Sequence, residues 1–294
     1  INDLVLGKAA GSVMSLIIAV FVILMAAINL REFTEVLKIY VLSDSPPSFI
    51  MIIFMTGIIS LSFSGLETIA RYAKFMIYIL LAGYLLVIAL SFQNFKPTQL
   101  YPLLGQGLDK TIINGIFRSS FYGDVTILVV IASSLQGPKE IKRIGFSSIL
   151  ISCLLTSSAL LAFSLVFSYI TGQELTAPMY EMAALIDYSG FLQHMEPIFL
   201  FLWNFGSFIE IAIMFYCAMM VYCHVFNISD KRPVIFPMAI LVYCVSLVPE
   251  GMTEAISTNI EELRNFGWMF YFMPQIIVLV TAIIRKKKGE IQNA

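Results

Sequence analysis

Charged residues and histidines are scarce in this chain. Of its 294 residues 13% are Asp, Glu, Lys or Arg, and 59% are hydrophobic. Soluble domains usually carry about 25% charged residues, so this balance, with a mean hydropathy of +0.88, predicts a polytopic membrane protein. The net charge of −1 argues against nucleic acid as a partner.

Common catalytic motifs are missing as well. The sequence has 2 histidines and contains no HExxH, no GxSxG and no glycine-rich phosphate loop. Its 4 cysteines lie in apolar stretches without paired metal spacing, which is typical of small buried hydrophobic residues. We therefore expect neither an enzyme nor a bound cofactor or metal.

Long apolar stretches recur along the chain. Each reaches or approaches the roughly 20 residues that a helix needs to cross a bilayer. Connections between them are mostly short, which predicts an all-α integral membrane protein with a single transmembrane domain over residues 1–294. The eight predicted spans are 9–30, 47–65, 72–92, 112–135, 144–170, 197–226, 233–249 and 265–284.

Lysine and arginine are placed asymmetrically between these spans. With the N-terminus inside, alternate connections and the C-terminal tail hold 12 of the 18 basic residues. Because cytoplasmic loops are enriched in Lys and Arg, both ends of the chain are predicted to be cytoplasmic. These twelve are Lys8, Arg71, Lys74, Lys139, Lys142, Arg143, Lys231, Arg232 and Arg285–Lys288.

One predicted span, Ile113–Leu135, is interrupted by polar residues. The run SSFYGD is not expected in a lipid-facing helix, since unsatisfied polar groups in hydrocarbon cost several kcal/mol each. One interpretation is a discontinuous helix, opened at Gly123, whose freed backbone groups line a polar cavity, as in many secondary transporters. The other is a helix that starts near Gly123 after an external loop. The residues alone leave both open.

The sixth span carries a polar stripe on an otherwise apolar helix. Asn204, Ser207 and Glu210 are spaced i, i+3 and i+6, and Trp203 precedes them. A carboxylate at membrane depth must face protein or water, which makes Glu210 a functional candidate. The alternative is an interhelical hydrogen bond that only holds the bundle together.

Two further regions are predicted to lie on the outer side of the membrane. The first helix is predicted to continue from Ala9 to Leu42, and Arg31 and Glu35, spaced i, i+4, can pair on one face. One interpretation is a solvated outer helix end. The other is that Asn29, Arg31 and Glu32 face an outward vestibule that leads to the site. Pro178 is predicted to open a short helix within an external segment that serves either as a gate or as a plain surface loop. A second pair, Glu67 and Arg71 at the cytoplasmic start of the third span, has the same i, i+4 spacing and predicts a structural ion pair.

Five stretches, in order and over essentially the whole chain, resemble one family. They are similar to the B subunits of bacterial spore germinant receptors, the GerAB-type spore permease family of the amino acid–polyamine–organocation superfamily. The stretches are Leu30–Pro47, Gly65–Arg71, Pro102–Leu108, Ser119–Asp124 and Pro178–Phe208.

The resemblance implies a transporter-like bundle of ten helices in two inverted repeats. The eight spans of this chain correspond to the last eight, so the first two helices are expected to be missing. It also implies a spore inner-membrane protein that recognises a small germinant, typically an amino acid. The implied partners are an A subunit and a lipoprotein C subunit, besides membrane lipid.

A site follows from this resemblance and the residues together. The germinant is expected at the break, with backbone N–H groups receiving its carboxylate, and Asp124 or Glu210 meeting its ammonium or governing gating. The expected ligand-binding residues are Ser119, Ser120, Phe121, Tyr122, Gly123, Asp124, Trp203, Asn204 and Ser207.

Three positions depart from the family pattern. Asp124 stands where the family tends to have a glutamate, His194 where an arginine is usual, and Ser45 where a threonine precedes the proline. The acid is kept in kind, whereas the missing arginine leaves the role of that position open.

Two other functions fit the residues. One is an ion- or proton-coupled amino acid permease with Asp124 or Glu210 as the coupling group. The other is a passive channel opened by partner subunits, although the sequence offers no charged ring that favours it.

Overall fold

The computed structural model describes residues 2–103, 107–135, 137–175, 177–188, 192–193, 195–249 and 261–285. The predictions that concern His194 and the basic tail beyond Arg285 lie outside these residues.

Helices make up nearly all of the described chain. A pair of two-residue strands, β1 (Asp187–Tyr188) and β2 (Leu192–Gln193), forms an antiparallel ribbon in which Asp187 lies opposite Gln193. The α-helices are α1 (Asn2–Leu6), α2 (Lys8–Tyr40), α3 (Pro47–Ser64), α4 (Leu66–Ser91), α5 (Leu108–Phe117), α6 (Ile127–Ile131), α7 (Pro138–Val166), α8 (Tyr169–Glu174), α9 (Pro178–Ala184), α10 (Glu196–Val225), α11 (Arg232–Ser246) and α12 (Glu261–Ile284). Four 3₁₀ segments join them, at Phe92–Asn94, Pro97–Leu100, Arg118–Thr126 and Ala132–Ser134.

Six of the described helices are long and apolar enough to cross a membrane. They correspond to six of the predicted spans and confirm an all-α integral membrane protein. Of the other two predicted spans, α11 has 15 residues and residues 112–135 form a discontinuous helix. The count of eight and the inverted repeats stay predictions.

The core lies between α2, α3, α10 and α11. Leu30, Ile58, Phe215 and Ile235 are almost wholly buried there. Small residues such as Ala26 on α2 let the helix backbones approach closely, which favours helix association within lipid. By contrast α4 and α7 bury little of their apolar surface, as expected of helices at the lipid boundary of a bundle.

The continuity predicted for the first helix is confirmed. Helix α2 has 33 residues and runs without interruption from Lys8 to Tyr40, a length of about 50 Å. The predicted pair of Glu67 and Arg71 also forms, at 2.6 Å on an exposed surface.

Of the two interpretations of the outer end of this helix, the solvated one is wrong for Arg31 and Glu35. The two side chains form an ion pair of 2.7 Å, and each is only 6% exposed. Both project into the helix-packed interior because neighbouring Leu30, Phe33 and Thr34 on the same helix turn are also buried. A buried pair of this kind holds its geometry by mutual neutralisation, since separating the charges would leave one of them uncompensated.

The segment that was predicted to be external packs against the ends of α2 and α4. Pro178 does open a helix, α9, as predicted, and its Ala183 is fully buried. The hydroxyl of Tyr40, at the end of α2, donates a hydrogen bond of 3.2 Å to Glu181. The side chain of Asn94, beyond α4, donates to the carbonyl of Leu185 at 3.0 Å. We call residues 177–188 the outer strap.

Two polar contacts tie the region of α1 to the ends of α10 and α12. Asp3 of α1 contacts His224 near the end of α10 at 2.9 Å. Arg285, just beyond α12, donates to the carbonyl of Val5 at 2.8 Å. The N-terminal helix therefore packs beside the C-terminal ends of α10 and α12.

Candidate ligand site

The polar interruption of the fourth predicted span is a tightened helix. Residues Arg118–Thr126 form a 3₁₀ segment between α5 and α6. Serine, glycine and aspartate are poor α-helix formers, and a 3₁₀ stretch inside a helix is often found at functional hinges. In a 3₁₀ helix each N–H bonds to the carbonyl three residues earlier, so the segment bends the helix without freeing its backbone. The helix is discontinuous, as one interpretation predicts, but it is not opened at Gly123.

This segment forms one wall of a cavity within the bundle. The cavity has a volume of about 560 Å³ and lies between the 3₁₀ segment, α6, α7 and α10. Its lining residues are Phe121, Tyr122, Asp124, Val125, Ile127, Leu128, Ile131, Ser148, Ile149, Ser152, Leu155, Thr156, Glu210 and Ile213. Most of the wall is apolar, with two carboxylates and several hydroxyl groups.

Glu210 is fixed by a residue from another helix. The side-chain amide of Asn29, on α2, donates a hydrogen bond of 2.8 Å to its Oε1, and the same nitrogen lies 3.6 Å from the Sδ of Met214. The contact therefore orients the carboxylate and ties α2 to α10 at the cavity.

Asp124 is fixed from the other side. The hydroxyl of Tyr271, on α12, donates to its Oδ1 at 3.2 Å. Tyr271 is 5% exposed and packs edge-to-face on Phe21 of α2, with ring centroids 4.9 Å apart. The two carboxylates of the cavity thus take their positions from different helices.

Gly123 is required by the approach of α12. A Cβ atom at this position would collide with the ring of Tyr271. The residue is buried, and the absence of a side chain lets the 3₁₀ segment pack directly on that ring. Gly123 therefore faces α12, while the adjacent Asp124 reaches the cavity.

The predicted site residues fall into two groups. The structure brings Phe121, Tyr122, Asp124 and Glu210 together in the cavity wall. The others lie outside that wall: Ser119, Ser120, Gly123, Trp203, Asn204 and Ser207. Of these, Ser120 lies on the face turned toward Gly267 of α12.

The polar stripe of α10 bonds mainly within its own helix. Asn204 donates to the carbonyl of Leu200 at 2.8 Å, and Ser207 donates to the carbonyl of Trp203 at 3.0 Å. The ring of Trp203 packs on Phe33 and Phe199, each at 5.7 Å between centroids. Trp203 thus forms an aromatic contact between α2 and α10, about two helix turns from Glu210.

Sequence reasoning missed three hydroxyl groups of the cavity. Ser148, Ser152 and Thr156 are spaced i, i+4 and i+8 on α7, so they share one face of that helix. The spacing is readable in the sequence, but serines in apolar helices often only bond to their own backbone. The sequence also gave no indication that Tyr271 contacts Asp124, because a single tyrosine is common in an aromatic-rich span.

Comparison with known proteins gives the family. A profile described as Spore germination protein, that of the spore permease family, matches residues 1–255. This chain belongs to the spore permease family. Among its relatives is spore germination protein KB of Bacillus subtilis (strain 168), which is 22% identical over 98% of this chain and 79% of the relative. Spore germination protein A2 of the same organism is 24% identical over 96% and 77%.

Other comparisons agree with this membership. Spore germination protein GerLB of Bacillus cereus is 25% identical over 42% of the chain and 33% of the relative. No solved structure matches the chain significantly. The family and the six apolar helices together make this a multi-pass membrane protein related to spore germination, and none of these relatives is named as an enzyme.

Proposed function

We propose that this chain is the membrane subunit of a nutrient-germinant receptor, which binds a small germinant such as an amino acid and triggers germination. The observation that carries the proposal is the pairing of Asp124 and Glu210 in one cavity between helices that are apolar elsewhere. Carboxylates at membrane depth are expensive to keep without a function.

The cavity chemistry suits a small ammonium-bearing ligand. Two carboxylates in one cavity repel each other when both are ionised, and a bound cation removes that repulsion. Phe121, Tyr122 and the aliphatic residues of α6 would enclose the ligand's apolar part. Burial of such a ligand would strengthen its contacts with Asp124 and Glu210, because the surrounding wall is mostly apolar.

The remaining predicted residues act on this site from outside the cavity wall. Gly123 holds the 3₁₀ segment against α12, and Ser120 lies beside Gly267 of the same helix. Trp203 contacts Phe33 of α2, whereas Asn204 and Ser207 donate to carbonyls of their own helix, α10. Ligand binding would then be transmitted by small shifts of these packed helices.

The proposal includes an orientation and partners. The chain forms one transmembrane domain with both ends on the cytoplasmic or spore-core side, which places its basic connections inside. It works in the spore inner membrane with an A subunit and a lipoprotein C subunit. Its basic connections also contact lipid headgroups.

The substitution Glu210→Gln tests the proposal. The new side chain keeps a carbonyl oxygen for the amide of Asn29 but loses the charge. Spores with this variant should contain normal amounts of the protein and lose the response to its germinant. The matched control is Glu67→Gln, which changes an exposed carboxylate far along the chain and should leave the response unchanged. A full response in Glu210→Gln spores contradicts the proposal.

An ion- or proton-coupled amino acid permease is the second candidate. Asp124 and Glu210 are anchored by different helices, Tyr271 from α12 and Asn29 from α2. Movement between those helices would change both carboxylates together, as a coupling site requires. Flux across the membrane distinguishes this candidate from the receptor.

A further inference from the structure

Helices α4 and α7 run side by side in the same direction. Along their length, the hydroxyl of Tyr84 on α4 donates a hydrogen bond of 2.8 Å to the carbonyl of Leu155 on α7. Farther along both, the backbone N–H of Lys96, which follows α4, donates to the carbonyl of Leu165 at 2.8 Å. The contact moves forward along both helices together, so their first turns lie at the same end of the bundle.

Three basic residues lie at similar depth near these first turns. Lys74 lies ten residues before Tyr84. Lys142 and Arg143 lie 13 and 12 residues before Leu155. At about 1.5 Å of rise per residue, these spacings are about 15 Å and about 18–20 Å, a difference of about one helix turn. All three basic residues are exposed.

This end of the two helices carries an excess of positive charge. Lys139, in the first turn of α7, is exposed as well, and we call these four cations the basic patch. Within the residues that the structure describes, none of the four forms an ion pair, whereas Glu67 and Arg71 neutralise each other. Glu140 is the one acid among the first eight residues of α7. Cations in the first turn of a helix oppose its dipole, so they do not stabilise α7 itself.

Large apolar side chains adjoin the basic patch on the same two helices. Phe75 and Tyr78 on α4 are 63% and 67% exposed, and Phe146 on α7 is 73% exposed. Both helices are long and apolar enough to cross a membrane, and both bury little of their surface in the bundle. Lipid tails therefore cover this surface in a bilayer, and the exposed cations stand where the headgroups begin.

We propose that the basic patch and the apolar side chains beside it form a binding site for an anionic phospholipid. The headgroup phosphate would lie among Lys74, Lys142 and Arg143, and the acyl chains would follow Phe75 and Phe146. This inference rests on the part of the proposed function that places basic connections at lipid headgroups, and narrows it to one site and one lipid charge. It does not depend on the germinant cavity, so its failure would leave germinant binding untouched.

Lipid binding to the purified chain tests the site directly. Delipidated full chain in a nonionic detergent is mixed with phosphatidylglycerol or phosphatidylcholine of the same acyl chains, and bound lipids are counted by native mass spectrometry. The wild type should retain phosphatidylglycerol in preference to phosphatidylcholine, and the preference should weaken with added salt. Lys74→Gln combined with Lys142→Gln should lower the affinity for phosphatidylglycerol by about fivefold per lysine, roughly 25-fold in all.

Two control variants separate a site from general charge. Lys96→Gln combined with Lys110→Gln removes the same charge from exposed lysines outside the patch and should leave the affinity unchanged. Lys74→Arg combined with Lys142→Arg keeps the charge and should retain the lipid.

Three results would overturn the inference. One is a wild type that retains both lipids equally, as expected if the cations serve membrane insertion alone. Another is an equal loss of affinity in the two glutamine double variants, which would show an effect of net charge. The third is a wild type that binds a polyglutamate peptide and shows no preference for phosphatidylglycerol, which would make the patch an interface for an acidic protein.

Discussion

At Gly123 the backbone packs so closely on the ring of Tyr271 that there is no space for a Cβ atom. The 3₁₀ segment presses its backbone against the ring of Tyr271, and that tyrosine in turn holds Asp124. Gly123, which has no side chain, and Asp124, a candidate ligand-binding residue, are adjacent. A change in the packing of Gly123 on Tyr271 would therefore also disturb the hydrogen bond from Tyr271 to Asp124.

The substitution Gly123→Ala should destabilise the protein and impair ligand binding. Its Cβ displaces Tyr271, an overpacking that typically costs about 1–3 kcal/mol, so the apparent Tm in detergent should fall by several degrees. The matched control is Gly115→Ala on α5, where a Cβ meets no atom within 4 Å. In that helix alanine is favoured over glycine, so the control should be neutral or slightly stabilised. Equal Tm values for the two variants would contradict the packing described here.

The outer strap is the element most open to a direct test of motion. Tyr40→Phe removes the hydrogen bond to Glu181 while keeping the ring contact with Tyr180, whose centroid lies 4.0 Å away. Because a hydrogen bond contributes about 0.5–1.5 kcal/mol, amide hydrogen exchange in residues 177–188 should become about 2–10 times faster.

The control for the strap is Tyr78→Phe on α4, where the side chain is largely exposed. Exchange in the strap should be unchanged in this variant, and exchange in α3 should be unchanged in both. If Tyr40→Phe leaves strap exchange as it is in the wild type, the hydrogen bond at Tyr40 does not restrain the strap.

The elements show where sequence reasoning succeeds and where it stops. Hydropathy and length identify the long helices, and Pro178 marks the start of α9, because these signals are local. The burial of Arg31 and Glu35 was not predicted, since it depends on helices far away in sequence. A polar run such as SSFYGD signals an irregular helix, but its packing on the ring of Tyr271, 148 positions beyond Gly123 in the chain, is a tertiary contact that the local sequence does not show.

The candidate site shows the same difference between local signals, which the sequence reveals, and tertiary packing, which it does not. The acids Asp124 and Glu210 are recognisable because charge is rare in an apolar helix, and both line the cavity. Asn204 and Ser207 share a helix face near Glu210, yet the rotation and packing of α10 turn their hydrogen bonds back to its own backbone. Which of several polar residues reaches a cavity is a property of the assembled bundle.

At the scale of the whole molecule, the question is whether a bound ligand is also carried across the membrane. A family of spore germination proteins with a permease name is compatible with a sensor and with a carrier. The cavity lies between helices that are tied to both α2 and α12, so the same site could drive a signal or a transport cycle. Only flux separates these two outcomes.

The most direct measurement is therefore binding and uptake of one labelled ligand in the same proteoliposomes. The account predicts saturable binding that is lost in Glu210→Gln, with no accumulation inside the vesicles under an ion or proton gradient. Accumulation against a gradient, abolished by an ionophore, would contradict the receptor and identify a coupled permease.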